Sequence, residues 1–362
     1  MASKQTLLVS TRKGLVTFEK SGSRKWTFSK VDFLGLPVSM AFVDRESETY
    51  WACLDHGHWG CKLHKSTDNG KTWEEVDSPK YDEGEEVKEG VPASINYLWA
   101  MNASQNGNGS SLYIGTEPGG LFKSSKDGAS FELMRGLWDH PSRKEQWFGG
   151  GREHPGIHSI LIDPRNQDRL LVAISCAGIF ESLDAGETWN PKNKGLKADF
   201  LPDPSSEIGQ DPHLLVACQS NFDVMWQQNH CGIFRTEDGG NNWTDKSDPS
   251  GEANFGFAIA ADPNDDKTAW VVPALSDGIR VALNNSLCVC RTQNGGKSWE
   301  TFRKGLPQGG SFDITYRHAL DQDEECLAFA TTTGNLYMSY DYGESWSCLS
   351  NNLPMVHCVD FI

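Results

Sequence analysis

The octad Ser66-Thr-Asp68-Asn-Gly70-Lys-Thr-Trp73 is repeated with variations along most of the chain. Each good copy keeps a serine or threonine, then an aspartate, a glycine and a final tryptophan at the same spacing. The three other good copies occupy residues 182–189, 236–243 and 339–346. A motif that recurs at long, similar intervals indicates a fold assembled from repeated units.

Two weaker copies fill the gaps in this series. Residues 292–299 carry Asn294 in place of the aspartate, and residues 124–131 place Asp127 one position late and end in Phe131. From Trp73 to Trp346, successive final aromatic residues are separated by 58, 58, 54, 56 and 47 residues. The repeats therefore cover nearly the whole chain, with room in each for several short strands.

The residue types of the octad suit a tight turn. An aspartate accepts hydrogen bonds from backbone N–H groups of the turn, and a glycine adopts positive φ without steric cost. The final aromatic residue anchors the following strand in the core. We therefore interpret the octad as a folding element and not as a catalytic site.

The composition agrees with a β-rich protein and excludes several functions. The chain has 362 residues, among them 36 glycines and 13 tryptophans. Its formal net charge of −16 argues against a nucleic-acid partner or an anionic membrane, because both need clustered lysine and arginine. No apolar run approaches the roughly 18 residues of a membrane span, and the first residues do not resemble a secretory signal. We therefore expect a cytoplasmic protein. The ten cysteines include no CxxC pair, which argues against a disulfide framework.

The octad resembles the Asp-box, or BNR, repeat. Proteins with this repeat include sialidases, xyloglucan-cleaving glycosidases, the luminal domain of sortilin and a photosystem II assembly factor. In that family the box lies on the turn between the third and fourth strands of a propeller blade. The resemblance therefore implies a β-propeller with the boxes on one face and the functional loops on the other.

Each repeat divides into four strands by one template. In the fourth unit we predict strands at residues 157–163, 169–175, 178–183 and 188–192. Residues 6–10, 14–19 and 26–29 form a blade that lacks its first strand, and residues 355–362 supply that strand. Such pairing closes the ring and removes the exposed sheet edges. We thus predict an all-β, seven-bladed β-propeller of four-stranded antiparallel blades that forms a single domain over residues 1–362.

Two long loops between blades, at residues 133–156 and 192–212, are predicted on the face opposite the boxes. Long loops in a compact fold are usually functional. We expect this face to bind a small-molecule or carbohydrate ligand. The candidate ligand-binding residues combine aromatic and polar side chains, and they are Arg12, His56, Trp138, His140, Arg152 and Gln228.

Histidines cluster at equivalent positions of this predicted face. His158, His213 and His357 each begin an innermost strand, and His230 ends the second strand of its blade. Neutral imidazoles that converge on an axis suit Zn²⁺ or a similar divalent metal with an open position for water. A metal site, a metal-free polar site and structural hydrogen bonding all remain open at this stage.

Acid–base groups are available on the same face. Glu117, Asp139 and Glu153 lie in or beside its loops, and Arg317 is assigned to the first strand of the seventh blade. Glycoside hydrolysis commonly uses two carboxylates at a fixed separation. We take these four residues as candidate catalytic groups, although isolated surface carboxylates are common in an acidic protein.

The resemblance can be narrowed further. The sialidases of this repeat family have six blades, an early Phe/Tyr-Arg-Ile-Pro motif and an arginine triad, and this sequence lacks the motif. Residues 136–143, 193–203 and 227–235 are similar to a bacterial group of single-propeller proteins that are labelled glycosyl hydrolase or exo-sialidase. That resemblance supplies a fold and no secure reaction.

Three interpretations of function follow. The first is a hydrolase- or lyase-like enzyme for a small polar or sugar-derived ligand at the histidine-rich site, with a metal held by His158, His213 and His230 or His357. The second is a metal-free glycosidase with two carboxylates. The third is a non-catalytic scaffold or assembly factor that binds a protein partner through Trp59, Trp138 and Trp147.

Overall fold

The computed structural model describes residues 5–105, 110–125, 128–323 and 326–362. Within these ranges, seven four-stranded antiparallel sheets form the blades of a seven-bladed β-propeller, as predicted. Contacts within the chain divide it into two compact units, which are Met1–Val38 with His213–Ile362 (unit 1) and Ser39–Pro212 (unit 2). Asp127 of the weak copy lies outside the described residues.

Unit 1 contains four of the sheets. The first joins both ends of the chain, and the other three follow one another in sequence. Their strands are β1 (Thr6–Thr11), β2 (Gly14–Gly22), β3 (Lys25–Asp32) and β30 (Val356–Phe361); β18 (Pro212–Cys218), β19 (Asn221–Asn229), β20 (Gly232–Thr236) and β21 (Thr244–Asp245); β22 (Gly256–Ala261), β23 (Ala269–Pro273), β24 (Val289–Thr292) and β25 (Glu300–Phe302); and β26 (Leu320–Gln322), β27 (Leu327–Ala330), β28 (Leu336–Ser339) and β29 (Ser347–Ser350).

Unit 2 contains the other three sheets, a short hairpin and two short helices. The sheets are β4 (Val38–Asp44), β5 (Thr49–Asp55), β6 (Cys61–Ser66) and β7 (Glu74–Val76); β10 (Tyr97–Gln105), β11 (Ser110–Glu117), β12 (Leu121–Ser124) and β13 (Phe131–Leu133); and β14 (Ile157–Asp163), β15 (Asn166–Ile174), β16 (Gly178–Ser182) and β17 (Asn190–Pro191). The hairpin is β8 (Glu86–Lys88) with β9 (Val91–Pro92), and the helices are α1 (Arg135–Trp138) and α2 (Arg143–Gln146). Both helices lie in the long loop between β13 and β14.

The octads are turns between third and fourth strands, with the hydrogen bonds that their residue types predict. Asp184 accepts the backbone N–H of Thr188 at 2.9 Å and its hydroxyl at 2.6 Å, while Ser182 donates to the same carboxylate at 2.7 Å. Gly186 has a φ of 97°, which favours glycine. The carboxylate therefore accepts hydrogen bonds from backbone N–H groups of the turn in place of a backbone carbonyl.

The C-terminal strand completes the first blade. β30 pairs antiparallel with β1, and Val359 lies opposite Val9 in that register. The buried faces of both strands belong to one apolar cluster with Trp26 and Phe361. The predicted closure by the two ends of the chain is confirmed.

One strand assignment is wrong. Arg317 was assigned to the first strand of the seventh blade, but that strand begins at Leu320. Side-chain hydrogen bonds help to hold the segment before it, because the Asp313 carboxylate accepts from Thr333 and from Asn335, and the Thr332 hydroxyl accepts the Ile314 N–H at 3.3 Å. Side-chain hydrogen bonds there take the place of a regular ladder.

No helix in the described ranges is long and apolar enough to cross a membrane.

Candidate functional site

The loop between β13 and β14 forms a cleft in unit 2 by docking its helices on the β8–β9 hairpin. Arg143 of α2 donates from Nη1 to the Val87 carbonyl at 2.6 Å. Trp138 of α1 donates from its indole Nε1 to Glu85 at 2.6 Å, and Arg135 forms an ion pair with the same carboxylate at 2.6 Å. These bonds hold the walls of the cleft in place without a ligand's help.

The cleft is open on one side and encloses a volume of about 30 Å³, a size that suits one polar group of a ligand. Its walls include aromatic side chains, glycine backbone and charged groups. The charged and aromatic lining residues are Lys88, Trp138, Arg143, Lys144, Trp147, Phe148, Glu153 and His154. Three of these are permanent cations and one is an anion, so the lining is positive although the whole chain carries −16.

Arg143 is the most unusual of these residues, because its side chain is buried and lacks a close counter-ion. The residue is 6% exposed, and its guanidinium lies 3.7 Å from the centre of the Trp138 ring. Nε donates to the Trp138 carbonyl and Nη1 to the Val87 carbonyl. Among the described residues, no carboxylate oxygen lies within 4.0 Å of the guanidinium. Burial lowers the pKa of Arg143 from its ordinary value.

Glu153 and His154 form the acid–base pair of the cleft. Nε2 of His154 lies 3.9 Å from Oε1 of Glu153, whose side chain is largely exposed. The His154 backbone N–H donates to Glu117 at 3.4 Å, which fixes the start of this pair against the end of β11. An imidazole beside a carboxylate can accept or deliver a proton near neutral pH.

Glu117 and Arg152, both predicted site residues, bind each other. Their ion pair measures 2.8 Å, and Glu117 is only 2% exposed. The Arg152 guanidinium also stacks over Tyr97 and Trp99, 4.1 and 4.9 Å from the ring centres. This arrangement positions the segment that leads to His154.

Other predicted residues of the loop have structural contacts. Trp138 is buried under Arg143, so only its edge reaches the cleft. His140 accepts or donates at Nδ1 with Ser142 at 2.8 Å and packs edge-on against Phe180. Asp139 is exposed and lies 3.8 Å from Arg135. Glu153 is therefore the candidate catalytic carboxylate that lines the cleft with its side chain in reach of solvent.

The predicted histidine positions are confirmed for the strands. His158, His213 and His357 are each the second residue of β14, β18 and β30, the edge strands of their sheets. In unit 2, Nδ1 of His158 pairs with Ser159 Oγ at 3.0 Å, and the ring packs edge-on against Trp99.

In unit 1 a hydrogen bond at Nδ1 likewise orients two imidazoles. Nδ1 of His213 donates to the Gly256 carbonyl at 2.7 Å, and Nδ1 of His357 donates to the Val38 carbonyl at 3.1 Å. A donating Nδ1 fixes the neutral tautomer in which Nε2 carries a lone pair. The His213 ring lies 5.8 Å from that of His230 and stacks on Phe257 at 4.7 Å.

His213 and His230 are thus the predicted metal ligands that the structure places together. Imidazole donors fit a divalent transition metal. His158 and His357 belong to no group of three candidate ligands in the part of the chain that the structure describes.

The remaining predicted ligand-binding residues lie apart from the cleft. Gln228 donates its amide to the Asn254 carbonyl at 2.9 Å and to the Gly232 carbonyl at 3.2 Å. Arg12 is exposed in the turn between β1 and β2. Arg317 lies over the Phe257 ring at 5.5 Å, and His56 precedes the 3₁₀ turn at Gly57–Trp59.

Sequence reasoning missed the cations of the cleft. Lys88 lies 55 residues before Arg143, on a hairpin that carries no repeat signature. Arg143 and Lys144 are adjacent in the loop at residues 133–156. Two neighbouring cations in an acidic chain were the sequence feature that could have indicated a positive lining.

Comparisons with known proteins show a fold and not a family. No family model matches the sequence, and no curated protein does. An ancestral GH74 enzyme of known structure is 17% identical with a TM-score of 0.58, and the match covers 90% of this chain and 38% of the other, so this chain spans well under half of that protein's length.

Two further structures match over nearly their full length. A Bacteroides uniformis protein with the provisional name 6-phosphogluconolactonase is 13% identical, with a TM-score of 0.60 and 99% of both chains covered. YCF48 from Cyanidioschyzon merolae is 14% identical, with a TM-score of 0.58, and the match covers 92% of this chain and 90% of that one. These identities support a shared propeller fold alone.

Proposed function

We propose that this protein binds the anionic group of a small polar or sugar-derived ligand in the unit 2 cleft and acts on that ligand by acid–base chemistry of the hydrolase or lyase type. The observation that carries the proposal is Arg143, a buried guanidinium without a close carboxylate that lines a cleft beside Lys88 and Lys144. A carboxylate or phosphate on the ligand supplies the missing counter-ion.

The recognition step follows from the lining of the cleft. The anionic group pairs with the two lysines and with the side of Arg143 that the backbone carbonyls leave open. Trp147 presents an aromatic wall against which the apolar face of a sugar ring packs. An arginine held by a tryptophan ring and two carbonyls is preorganised, so little entropy is lost on binding.

The chemical step uses the neighbouring pair. His154 takes a proton from the ligand or from a water molecule, and Glu153 stabilises the imidazolium that results. Glu117 acts as a positioning residue here, because it binds Arg152 and the His154 backbone.

Binding is tested by isothermal titration calorimetry with glucuronate and glucose 6-phosphate, using neutral glucose as the control ligand. We expect heat of binding for the two anions and none for glucose. Lys88→Gln with Lys144→Gln should weaken anion binding at least about tenfold, since two charge-assisted contacts are lost. Lys71→Gln, an exposed lysine in an octad turn, is the matched control. Equal affinities for both variants would refute the site.

Turnover is tested with 4-nitrophenyl glucuronide against 4-nitrophenyl glucoside. Release of nitrophenol from the anionic glycoside that is lost in His154→Ala and retained in Lys71→Gln supports acid–base chemistry at this site. Anion binding at the cleft without turnover would still support the ligand site but would overturn the enzymatic part of the proposal.

A second function is favoured by the orientation of His213. We propose that His213 and His230 bind a Zn²⁺-like ion that would polarise a ligand and activate water. Metal analysis after zinc loading should find metal in the wild-type protein and a loss in His213→Ala with His230→Ala. Undiminished metal in that variant would refute this assignment.

The comparisons leave the scaffold hypothesis in place, because one matching structure is YCF48 bound to D1 peptide. The scaffold hypothesis predicts three tryptophan anchors in this protein. Two of them are buried, since Trp138 is 1% and Trp147 8% exposed, whereas Trp59 is 70% exposed. Buried tryptophans cannot anchor a protein partner, so the cleft favours a small ligand.

A further inference from the structure

Unit 1 contains a second cluster of metal-ligating side chains, distant in sequence from every residue of the cleft and from the histidines. A carboxylate oxygen of Glu252 and the sulfurs of Cys288 and Cys290 all lie within 4.8 Å of one another. We propose that these three residues bind a divalent zinc-type metal ion.

The strand geometry brings the two thiols together. Cys290 is the second residue of β24 and Cys288 directly precedes that strand, so their side chains point to the same face. Both are buried, and Cys290 pairs in register with Val271 on one side and Thr301 on the other. The Thr301 hydroxyl lies 3.5 Å from Cys290 Sγ, near enough to donate to a thiolate.

Glu252 approaches the thiols from the loop after β21. Its backbone carbonyl accepts the N–H of Asn254 in a tight turn, which orients the loop. Arg303 binds one carboxylate oxygen, Oε1. In the described part of the chain no group donates to Oε2, so that oxygen remains available to a metal while Arg303 holds the carboxylate in orientation.

The spacing and the donor types suit zinc. Tetrahedral bonds of about 2.0–2.3 Å separate neighbouring ligand atoms by roughly 3.3–3.8 Å, so the three atoms need to move together by only about 1 Å. Two thiolates with one carboxylate favour Zn²⁺ over Mg²⁺ or Ca²⁺, which prefer oxygen alone. The partly exposed side of Glu252 gives the ion a route to the buried sulfurs.

The binding reaction exchanges protons for the ion. Two S–H groups lose their protons to solvent, two metal–sulfur bonds and one metal–oxygen bond form, and no electrons are transferred. Affinity should therefore rise with pH.

The test uses Co²⁺ as the probe, added to the reduced full-length protein. We expect a sulfur-to-cobalt charge-transfer band that saturates at a single ion per chain and disappears when Zn²⁺ is added. The double substitution Cys288→Ala with Cys290→Ala should abolish the band. Cys326→Ala, a similarly buried thiol of unit 1, is the matched control and should leave the band unchanged.

Glu252→Gln separates the carboxylate from the thiols and avoids a core substitution. A glutamine still accepts from Arg303 but is a poor ligand, so cobalt affinity should fall about tenfold or more. The proposal is overturned if the wild-type protein gives no charge-transfer band, if the band survives the double cysteine substitution, or if Glu252→Gln binds cobalt with wild-type affinity.

Discussion

Substitution of Phe361 tests whether the C-terminal strand supports the first blade as the structure indicates. The side chain is 3% exposed, lies 5.7 Å from the Trp26 ring centre and belongs to the apolar cluster of the first sheet. Its backbone N–H also donates to Asp321 at 2.8 Å, which anchors the strand to the neighbouring sheet. Phe361→Ala removes the ring and keeps that backbone bond.

The expected loss is large for a residue next to the chain end. Truncation of a buried phenylalanine to alanine costs about 3–5 kcal/mol, and the lower figure applies here because a terminal strand relaxes more easily than a central one. With a slope of about 5 kcal/mol/M in guanidinium chloride, a loss of about 3 kcal/mol moves the unfolding midpoint down by about 0.6 M.

The matched control is Phe28→Ala in β3 of the same sheet. Phe28 is 60% exposed, so its removal should change the free energy of unfolding by less than about 1 kcal/mol. Hydrogen exchange of residues 356–361 should also become faster in Phe361→Ala and stay unchanged in the control. Equal midpoints for the two variants would show that β30 does not support the blade.

Three further predictions concern a turn, a backbone contact and a predicted catalytic residue. Hydrogen bonds from the threonine four residues later lower the pKa of Asp184 to about 2. The ionised carboxylate therefore stabilises the fold fully above its ordinary pKa, and this stabilisation is lost as the pH falls from about 4 to 2. Urea midpoints of Asp184→Asn should depend less on pH across that window than those of the wild type. Gly305→Ala should lower the free energy of unfolding by about 2 kcal/mol or more, because its Cβ would lie 1.8 Å from a tryptophan carbonyl oxygen. The control Gly35→Ala has free space at a similar φ, and it should cost about 1 kcal/mol in the same urea titration. Glu117→Gln should lower the thermal midpoint, by a stability loss of about 2 kcal/mol, because Arg152 loses a buried partner; an unchanged midpoint with lost turnover would instead make Glu117 catalytic.

The strands could be predicted because local chemistry specifies them. The octad supplies a turn, and a turn supplies the ends of two strands, so β14 has the predicted bounds and β1, β2, β3 and β30 differ from prediction only at their ends. The seventh blade shows where this reasoning stops. The Asp313 segment has a strand-like pattern, but its carboxylate binds Thr333 and Asn335, and no local sequence feature reveals that side-chain pairing.

The site was harder to predict, because its contacts join distant parts of the chain. The loop at residues 133–156, which we predict to contact a ligand, contributes Glu153 and several other residues to the lining of the cleft. The other wall is a hairpin whose Val87 carbonyl meets Arg143 only in the folded chain. Glu117 and Arg152 each have a residue type typical of a site, yet they neutralise each other, which depends on a distance of 2.8 Å that sequence spacing does not give.

The acidity of the chain explains why Arg143 is tolerated without a close carboxylate. Glu85 and Asp139 act on its charge from beyond contact distance, and they help to offset the cost of burial together with the Trp138 ring. This support is spread out and has no directed acceptor at the open side of the guanidinium. A neutral ligand would gain little there, while a carboxylate or phosphate would form short, charge-assisted hydrogen bonds. The selection for an anion that we propose would therefore arise from a cation that the fold stabilises through distant charges and leaves without a close carboxylate.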